Sequence, residues 1–223
     1  MKLLLIHLSD LHIKGPLDPV LTRREKIIDA VKNLDYGVDL CVVAVTGDIA
    51  FSGKEIEYFY AWDLIDGIVK GLEKHLPTSA KPIPVFCVAI PGNHDCDFDQ
   101  LSGARDIFLD GVLKSPAQAR DASVLDYCIK PQTSFFEFLD VYAKAGRVEI
   151  KNSSYGEKLY YEYQFGINGN AIRLLCCNTA WLSRLPDIQG RLLFPPDAIP
   201  NSPEPFLFTV ALFHHLYPWL EAN

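Results

Sequence analysis

Apolar residues along this chain collect into short runs, separated by stretches in which they recur at helical spacing. Leu3–Leu8 is the first run, closed by Ser9-Asp10, and its length predicts a buried strand. Thr22-Arg23-Arg24-Glu25 has capping-box spacing, and Ile27, Ile28, Val31 and Leu34 follow at helical intervals. A helix is therefore expected there, ending near Tyr36-Gly37. Residues 40–45 are a second run, closed by Thr46-Gly47-Asp48. Ser52-Gly53-Lys54-Glu55 is another capping-box match. Ile56, Phe59, Tyr60, Leu64, Ile65, Ile68, Val69 and Leu72 predict one apolar side of a long helix. Pro82-Ile83-Pro84 resets the chain before a third run, Val85–Ile90. Buried strands alternating with amphipathic helices predict an α/β sheet with helices on its faces.

The middle of the chain is less regular. Residues 107–113 and 134–143 read as helices within a helical insertion around 99–146, placed beside the site. From 159 to 165 the period changes to two, with Leu159, Tyr161, Tyr163 and Phe165 on one face and Tyr160, Glu162 and Gln164 on the other. The turn-forming residues 166–170 and the apolar run 171–177 complete an antiparallel hairpin. A proline-rich loop (195–205) precedes a last apolar strand, 206–213, which ends in His214-His215.

With 49% hydrophobic residues in 223, the chain can bury one substantial core, and one domain spanning 1–223 is expected. The net charge of −7 and the lack of a basic run exclude binding a phosphate backbone by bulk electrostatics. An anionic substrate would need another source of positive charge, and a bound metal supplies it. The six cysteines form no C-x-x-C pair, and Cys41, Cys87, Cys176 and Cys177 lie in apolar runs. They read as reduced, buried thiols. The N-terminal apolar run is too short for a signal peptide and no run reaches the length of a membrane span. The expectation is a cytoplasmic protein with no membrane partner. Neither G-x-G-x-x-G nor G-x-x-x-x-G-K occurs, which excludes a Rossmann or P-loop nucleotide site.

Candidate chemistry lies at the strand ends. The first strand is followed by Asp10-Leu11-His12, the second by Gly47-Asp48, the third by Gly92-Asn93-His94-Asp95, and the last by His214-His215. Each alone is ordinary turn chemistry. Together they deliver oxygen and nitrogen ligands to one edge of one sheet, where open α/β sheets bind ligands. Two divalent ions about 3.5–4 Å apart clamp a phosphoryl group and lower the pKa of a water, and they need an anion between them. Asp48 is the candidate bridge. Asp10 and His12 would bind one ion, Asn93 and His214 the other. Oxygen and nitrogen ligands without thiolate suit Mn, Fe, Zn or Ni. His94, beside a ligand, is placed to serve as general acid toward the leaving oxygen.

This motif series, from Leu8 to Trp219, resembles that of the calcineurin-like metallophosphoesterases. The resemblance implies a two-sheet α/β sandwich flanked by helices, a dinuclear metal centre, and hydrolysis of phosphate mono- or diesters by metal-activated water. By the family pattern Asp10 and His12 bind the first metal, Asp48 bridges, Asn93 and a late histidine bind the second, and His94 assists catalysis. Gly47-Asp48-Ile49-Ala50-Phe51-Ser52-Gly53-Lys54, with Glu57-Tyr58, looks like the phosphodiesterase-type branch. Asn178-Thr179-Ala180-Trp181 and Phe213-His214-His215-x-x-x-Trp219 resemble bacterial members, in which this domain often precedes further fused domains. The family also closes its site with Gly-His-x-His, which this sequence lacks, so the resemblance implies either a domain cut short at its C-terminal side or a naturally short form, with each metal site one ligand short. His7 and His75 do not replace it: His7 reads as a core or supporting residue, His75 as a partner of a helix C-terminus. Relatives place the ligand first in the His pair, which favours His214, with His215 lining the substrate cleft.

Two readings stay open at this point. One is an enzyme acting on a phosphodiester of nucleotide or single-stranded nucleic-acid type, with Tyr58, Phe59, Trp181, Tyr217 and Trp219 as stacking or core residues. The other is a weakly active or inactive sensory or regulatory module of a larger protein.

Overall fold

Leu, Cys, Val and Ala fill residues 40–45 and leave no polar side for solvent; with Thr46 they form the middle strand of a parallel sheet, every residue buried. The computed structural model describes residues 2–32, 37–76, 82–99, 103–144, 152–154, 158–167, 169–201 and 205–220. Along the chain run β1 (Leu3–Leu8), α1 (Arg24–Val31), β2 (Leu40–Thr46), α2 (Glu55–His75), β3 (Val85–Ile90), α3 (Ala104–Lys114), α4 (Ala122–Ile129), α5 (Thr133–Lys144), β4 (Asn152–Ser154), β5 (Tyr160–Ile167), β6 (Asn170–Cys177) and β7 (Phe208–Leu212).

One sheet has the order β1-β2-β3, all parallel. The other has the order β4-β5-β6-β7: the first two pairings are antiparallel and β7 runs parallel to β6. The sheets pack face to face. Phe86 on β3 meets Phe165 on β5 with ring centroids 4.7 Å apart, and the buried Tyr161 hydroxyl donates to the Ala89 carbonyl at 2.5 Å. Their shared core is continuous with the buried side of α2. This is the two-sheet α/β arrangement expected from the sequence.

The first strand is only half buried. Leu5 and His7 point outward, because β2 pairs with one side of β1 and no strand pairs with the other among the described residues. His7 is accordingly no core residue; it reaches Thr46 Oγ1 at 2.6 Å. On α2 the buried face runs through Tyr58, Ala61, Leu64, Ile65, Ile68, Val69 and Leu72. Ile56 and Phe59, expected on that face, are 58% and 69% exposed.

The helix starts also differ in detail. Glu57, not Glu55, turns back at the head of α2: its carboxylate accepts from Ser52 N, Ser52 Oγ and Lys54 N. Thr22 caps nothing, since its hydroxyl donates to Pro19 O, and Asp18 caps the 3-10 turn that leads into α1. Leu34 and Tyr36, expected near the end of that helix, fall outside the described residues.

Between β3 and β4 the described residues form three α-helices where the sequence suggested two, α4 being the addition. Helices α3 and α4 form a second core with residues 181–193. Arg105 fastens it: the buried guanidinium donates to the carbonyls of Cys128, Trp181 and Ser183. The expected hairpin forms, Tyr160 opposite Cys177 through Ile167 opposite Asn170, so its strands extend into residues 166, 167 and 170, expected in the turn. Its second face is covered as well, by residues 194–199 over Tyr160 and Cys177. Glu162 is tolerated there because Arg173 pairs with it at 2.5 Å. All six cysteines are free and buried, and burial pushes the Cys41, Cys87 and Cys177 thiols up to about 12. Among the described residues no helix is long and apolar enough to cross a membrane.

Candidate metal centre

The carboxyl ends of β1, β2 and β3 lie side by side, so the loops that follow them emerge together. The first two loops continue the sheet pairing: Asp10 N donates to Gly47 O at 3.2 Å, His12 N to Asp48 O at 2.9 Å and Ile13 N to Ile49 O at 3.0 Å. Among the described residues three other than glycine have left-handed backbone, Asp10 (φ 56°), His12 (φ 48°) and Asp48 (φ 54°). All three were singled out from sequence as metal ligands. That conformation is unfavourable for an L-residue and persists where surrounding structure enforces it, which is common at functional sites.

Two glycines permit the approach. A Cβ on Gly92 would lie 2.1 Å from Asp48 Oδ1 and 2.5 Å from its backbone nitrogen. A Cβ on Gly47 (φ 88°) would lie 2.4 Å from His214 Nδ1. The Gly-Asp and Gly-Asn-His-Asp sequences therefore contribute closeness as well as turns.

Asp48 is at the centre and almost fully buried. Its Oδ1 accepts the His94 backbone N–H at 2.9 Å and lies 3.4 Å from His214 Nε2. Its Oδ2 lies 3.7 Å from His12 Nε2, which in turn is 3.8 Å from Asp10 Oδ1. The two oxygens thus face two different sets of side chains. His214 Nδ1 meets the Thr46 carbonyl at 2.9 Å, and its Nε2 lies 3.0 Å from Asn93 Oδ1. A carbonyl only accepts, so Nδ1 carries the hydrogen and the Nε2 lone pair faces the site. His94 is fixed in the same way, with Nδ1 at 2.8 Å from the Phe51 carbonyl. His12, Asp48 and His94 present ligand atoms within 4.8 Å of one another, a group able to hold a metal ion. His12 Nδ1 is buried without a hydrogen-bond partner.

The structure thus brings together Asp10, His12, Asp48, Asn93, His94 and His214, from four strand ends. His215 is adjacent but turned differently: its ring nitrogens face Thr179 Oγ1 at 3.1 Å and Asp187 Oδ2 at 3.4 Å. Of the aromatics considered for stacking, Tyr58 and Trp181 are core residues, whereas Trp219 lines the cavity in front of the site.

Sequence reasoning gave Asp95 no role. Its fully buried carboxylate accepts from Ile49 N, Ala50 N, Gly92 N and the Tyr58 hydroxyl, at 2.8–3.2 Å. It ties the second and third loops together. Burial pushes it up to about 6 against the pull of those donors. The signal available was its place in the same short turn as Asn93 and His94. Asp187 carried no comparable signal.

The site opens into a cavity of about 840 Å3, a volume that suits a small organic ligand. Its lining includes Asp10, Asp48, Asp187 and five histidines, with Leu185, Pro186, Phe213, Leu216 and Trp219 on the apolar side. No lysine or arginine is among the lining residues. The Asp10 and Asp48 carboxylates, without a fixed cation beside them, would repel a phosphate ester. They suit a divalent cation, as do the lone pair of His214 and the Asn93 amide oxygen.

Comparison with known proteins agrees with this chemistry. The sequence model of the family described as calcineurin-like phosphoesterase matches residues 3–215. A 203-residue alignment, 27% identical, relates the chain to the uncharacterized metallophosphoesterase-like protein YydB of Bacillus subtilis (strain 168). It covers 86% of this chain and 36% of that protein, so the chain spans just over a third of the length of that curated relative.

Proposed function

This chain belongs to the calcineurin-like phosphoesterase family, and on that premise we propose that it hydrolyses a phosphodiester at two divalent cations bridged by Asp48. The observation that carries the reading is the division of Asp48: Oδ1 faces His214 and Oδ2 faces His12. Asp10 and His12 would hold one cation, Asn93 and His214 the other. Bound there, the cations would neutralise the phosphoryl oxygens and lower the pKa of an attacking water. The donor set fits Mn, Fe, Zn or Ni. Six free, buried cysteines fit a reducing cytoplasm.

The protein's own groups have separate tasks. Thr46 O fixes the His214 tautomer, so this ligand needs no reorganisation before it binds. Phe51 O holds His94 Nδ1–H, so the proton that His94 exchanges with the leaving oxygen sits on Nε2. Asp95 keeps the second and third loops in register. The wall formed by Leu185, Pro186, Phe213, Leu216 and Trp219 favours a leaving group with a flat apolar part, as in a nucleotide or single-stranded nucleic acid.

The test is hydrolysis of bis-p-nitrophenyl phosphate with added manganese by wild type and Asp48→Ala. Turnover that requires the metal and disappears in the variant is the expected result. Equal rates in the two would refute the role of Asp48. Manganese binding without turnover in the wild type would favour a regulatory metal-binding module.

A further inference from the structure

Behind His214 lies a buried polar arrangement that the reaction above does not use. His215 N donates to Thr179 Oγ1 at 3.2 Å, and the same hydroxyl lies 3.1 Å from His215 Nδ1. On the other side of the ring, His215 Nε2 faces Asp187 Oδ2 at 3.4 Å. These side chains are 7% and 6% exposed, and neither of the two facing atoms has a hydrogen-bond partner. Asp187 is itself anchored, Oδ1 accepting the Arg184 backbone N–H at 2.7 Å.

A buried carboxylate oxygen and a buried imidazole nitrogen, each otherwise unpartnered, imply one tautomer. Nε2 carries its hydrogen toward Asp187, and Nδ1 accepts the hydroxyl hydrogen of Thr179. Held at both nitrogens, the ring has no free polar atom for a substrate. It presents an edge to its neighbour instead: the His214 and His215 ring centroids are 4.8 Å apart at 80°.

We infer that Asp187 and Thr179 fix His215 as a strut behind His214, which makes Asp187 a positioning residue for a metal ligand. His215 lines the cavity but turns neither ring nitrogen toward it. It limits the swing of the His214 ring, whose other constraint is the bond to Thr46 O. The inference rests on the proposed role of His214 as a ligand. It assigns a function to residues of the 181–193 segment, which also forms the apolar cavity wall through Leu185 and Pro186. Metal binding and the shape of the leaving-group side are thereby joined in one piece of chain.

The test uses the 223-residue chain with Asp187→Ala and Asp187→Asn. Three quantities are measured: manganese affinity by competition with a fluorescent chelator, kcat and KM on bis-p-nitrophenyl phosphate, and the histidine tautomers from nitrogen-15 spectra of the metal-free protein. Asp187→Ala should weaken manganese binding about tenfold, the low end for loss of an outer partner of a ligand, with KM unchanged and the lost rate recovered at saturating metal. Asp187→Asn keeps an oxygen toward Nε2 and should stay close to wild type. In the wild type His215 should be the Nε2–H tautomer and His214 the Nδ1–H tautomer. A rise in KM with manganese affinity unchanged would make His215 a substrate contact and overturn the inference. So would wild-type manganese affinity in Asp187→Ala, or an Nδ1–H tautomer at His215. Weakened manganese binding in a protein with no turnover at all would instead remove the phosphodiester reading and leave the strut standing.

Discussion

Replacing Gly92 with alanine adds one methyl group at the most crowded point of the site. The new Cβ would lie 2.1 Å from Asp48 Oδ1, 2.9 Å from its Cγ and 2.5 Å from its backbone nitrogen. Rotating the Asp48 side chain relieves only the first two clashes, because the third is with backbone. The loop must therefore move, and Asp48 is nearly fully buried with left-handed backbone, which leaves little room for it. Overpacking of this kind costs about 1–3 kcal/mol. Losing the hydrogen bond from His94 N to Asp48 adds about 1 kcal/mol. The sum, about 2–4 kcal/mol, lowers the midpoint of thermal unfolding by about 5–15 °C for a chain of this size. The assay is thermal unfolding in EDTA, with manganese-dependent hydrolysis measured in parallel. Gly103→Ala is the control, because a Cβ there meets nothing within 4 Å, and it should change stability by less than about 0.5 kcal/mol. A Gly92→Ala protein that melts within about 1 °C of wild type and still turns over substrate would refute the claim that Asp48 depends on the bare Gly92 backbone.

His94→Ala should retain manganese affinity and lose about 100-fold or more in kcat, as expected for removal of a general acid. Loss of the metal instead would make His94 a ligand, as its closeness to His12 and Asp48 allows. The Asp95 carboxyl gives a pH signature in the metal-free protein. Burial, aided by the charge of Asp48, raises it from 3.8 to about 6 despite the donors around it. A carboxyl raised in the folded state stabilises the fold fully below its ordinary value, and that contribution is lost as pH climbs from about 4 through about 6. The unfolding free energy from urea titrations in EDTA should fall across that window, by on the order of 3 kcal/mol, and Asp95→Asn should lack the fall. A flat profile in the wild type would contradict this.

The parallel core was readable because β2 and β3 are unbroken apolar runs, which burial on both faces explains. The candidate site was readable because four apolar runs end in residue types able to ligate a metal. Other features depended on context. At the start of α2, apolar residues at 56, 58, 59, 60, 61 and 62 surround the helix, and only packing against the sheet selects Tyr58 and Ala61 over Ile56 and Phe59. The alternation in the hairpin separates two faces without saying what covers the one that carries Glu162; residues 194–199 cover it and Arg173 accompanies Glu162 inside. His214 and His215 are chemically identical in the sequence. They differ in what each Nδ1 finds, a carbonyl for one and a hydroxyl for the other, and that contact is made across more than 30 residues. Asp187 sits in a loop whose path is set by a second core, so nothing local marked it.

The left-handed turns at Asp10, His12 and Asp48 bear on the order in which this protein is built. A short peptide copying any one of these loops would relax toward right-handed or extended shapes, each residue being unfavourable by about 1 kcal/mol or more on its own. What holds them is the zippering of residue 10 to 47 and 12 to 48, which exists only after the first two strands have paired. The candidate metal centre is therefore a late product of folding, assembled only when the sheet beneath it is already in place.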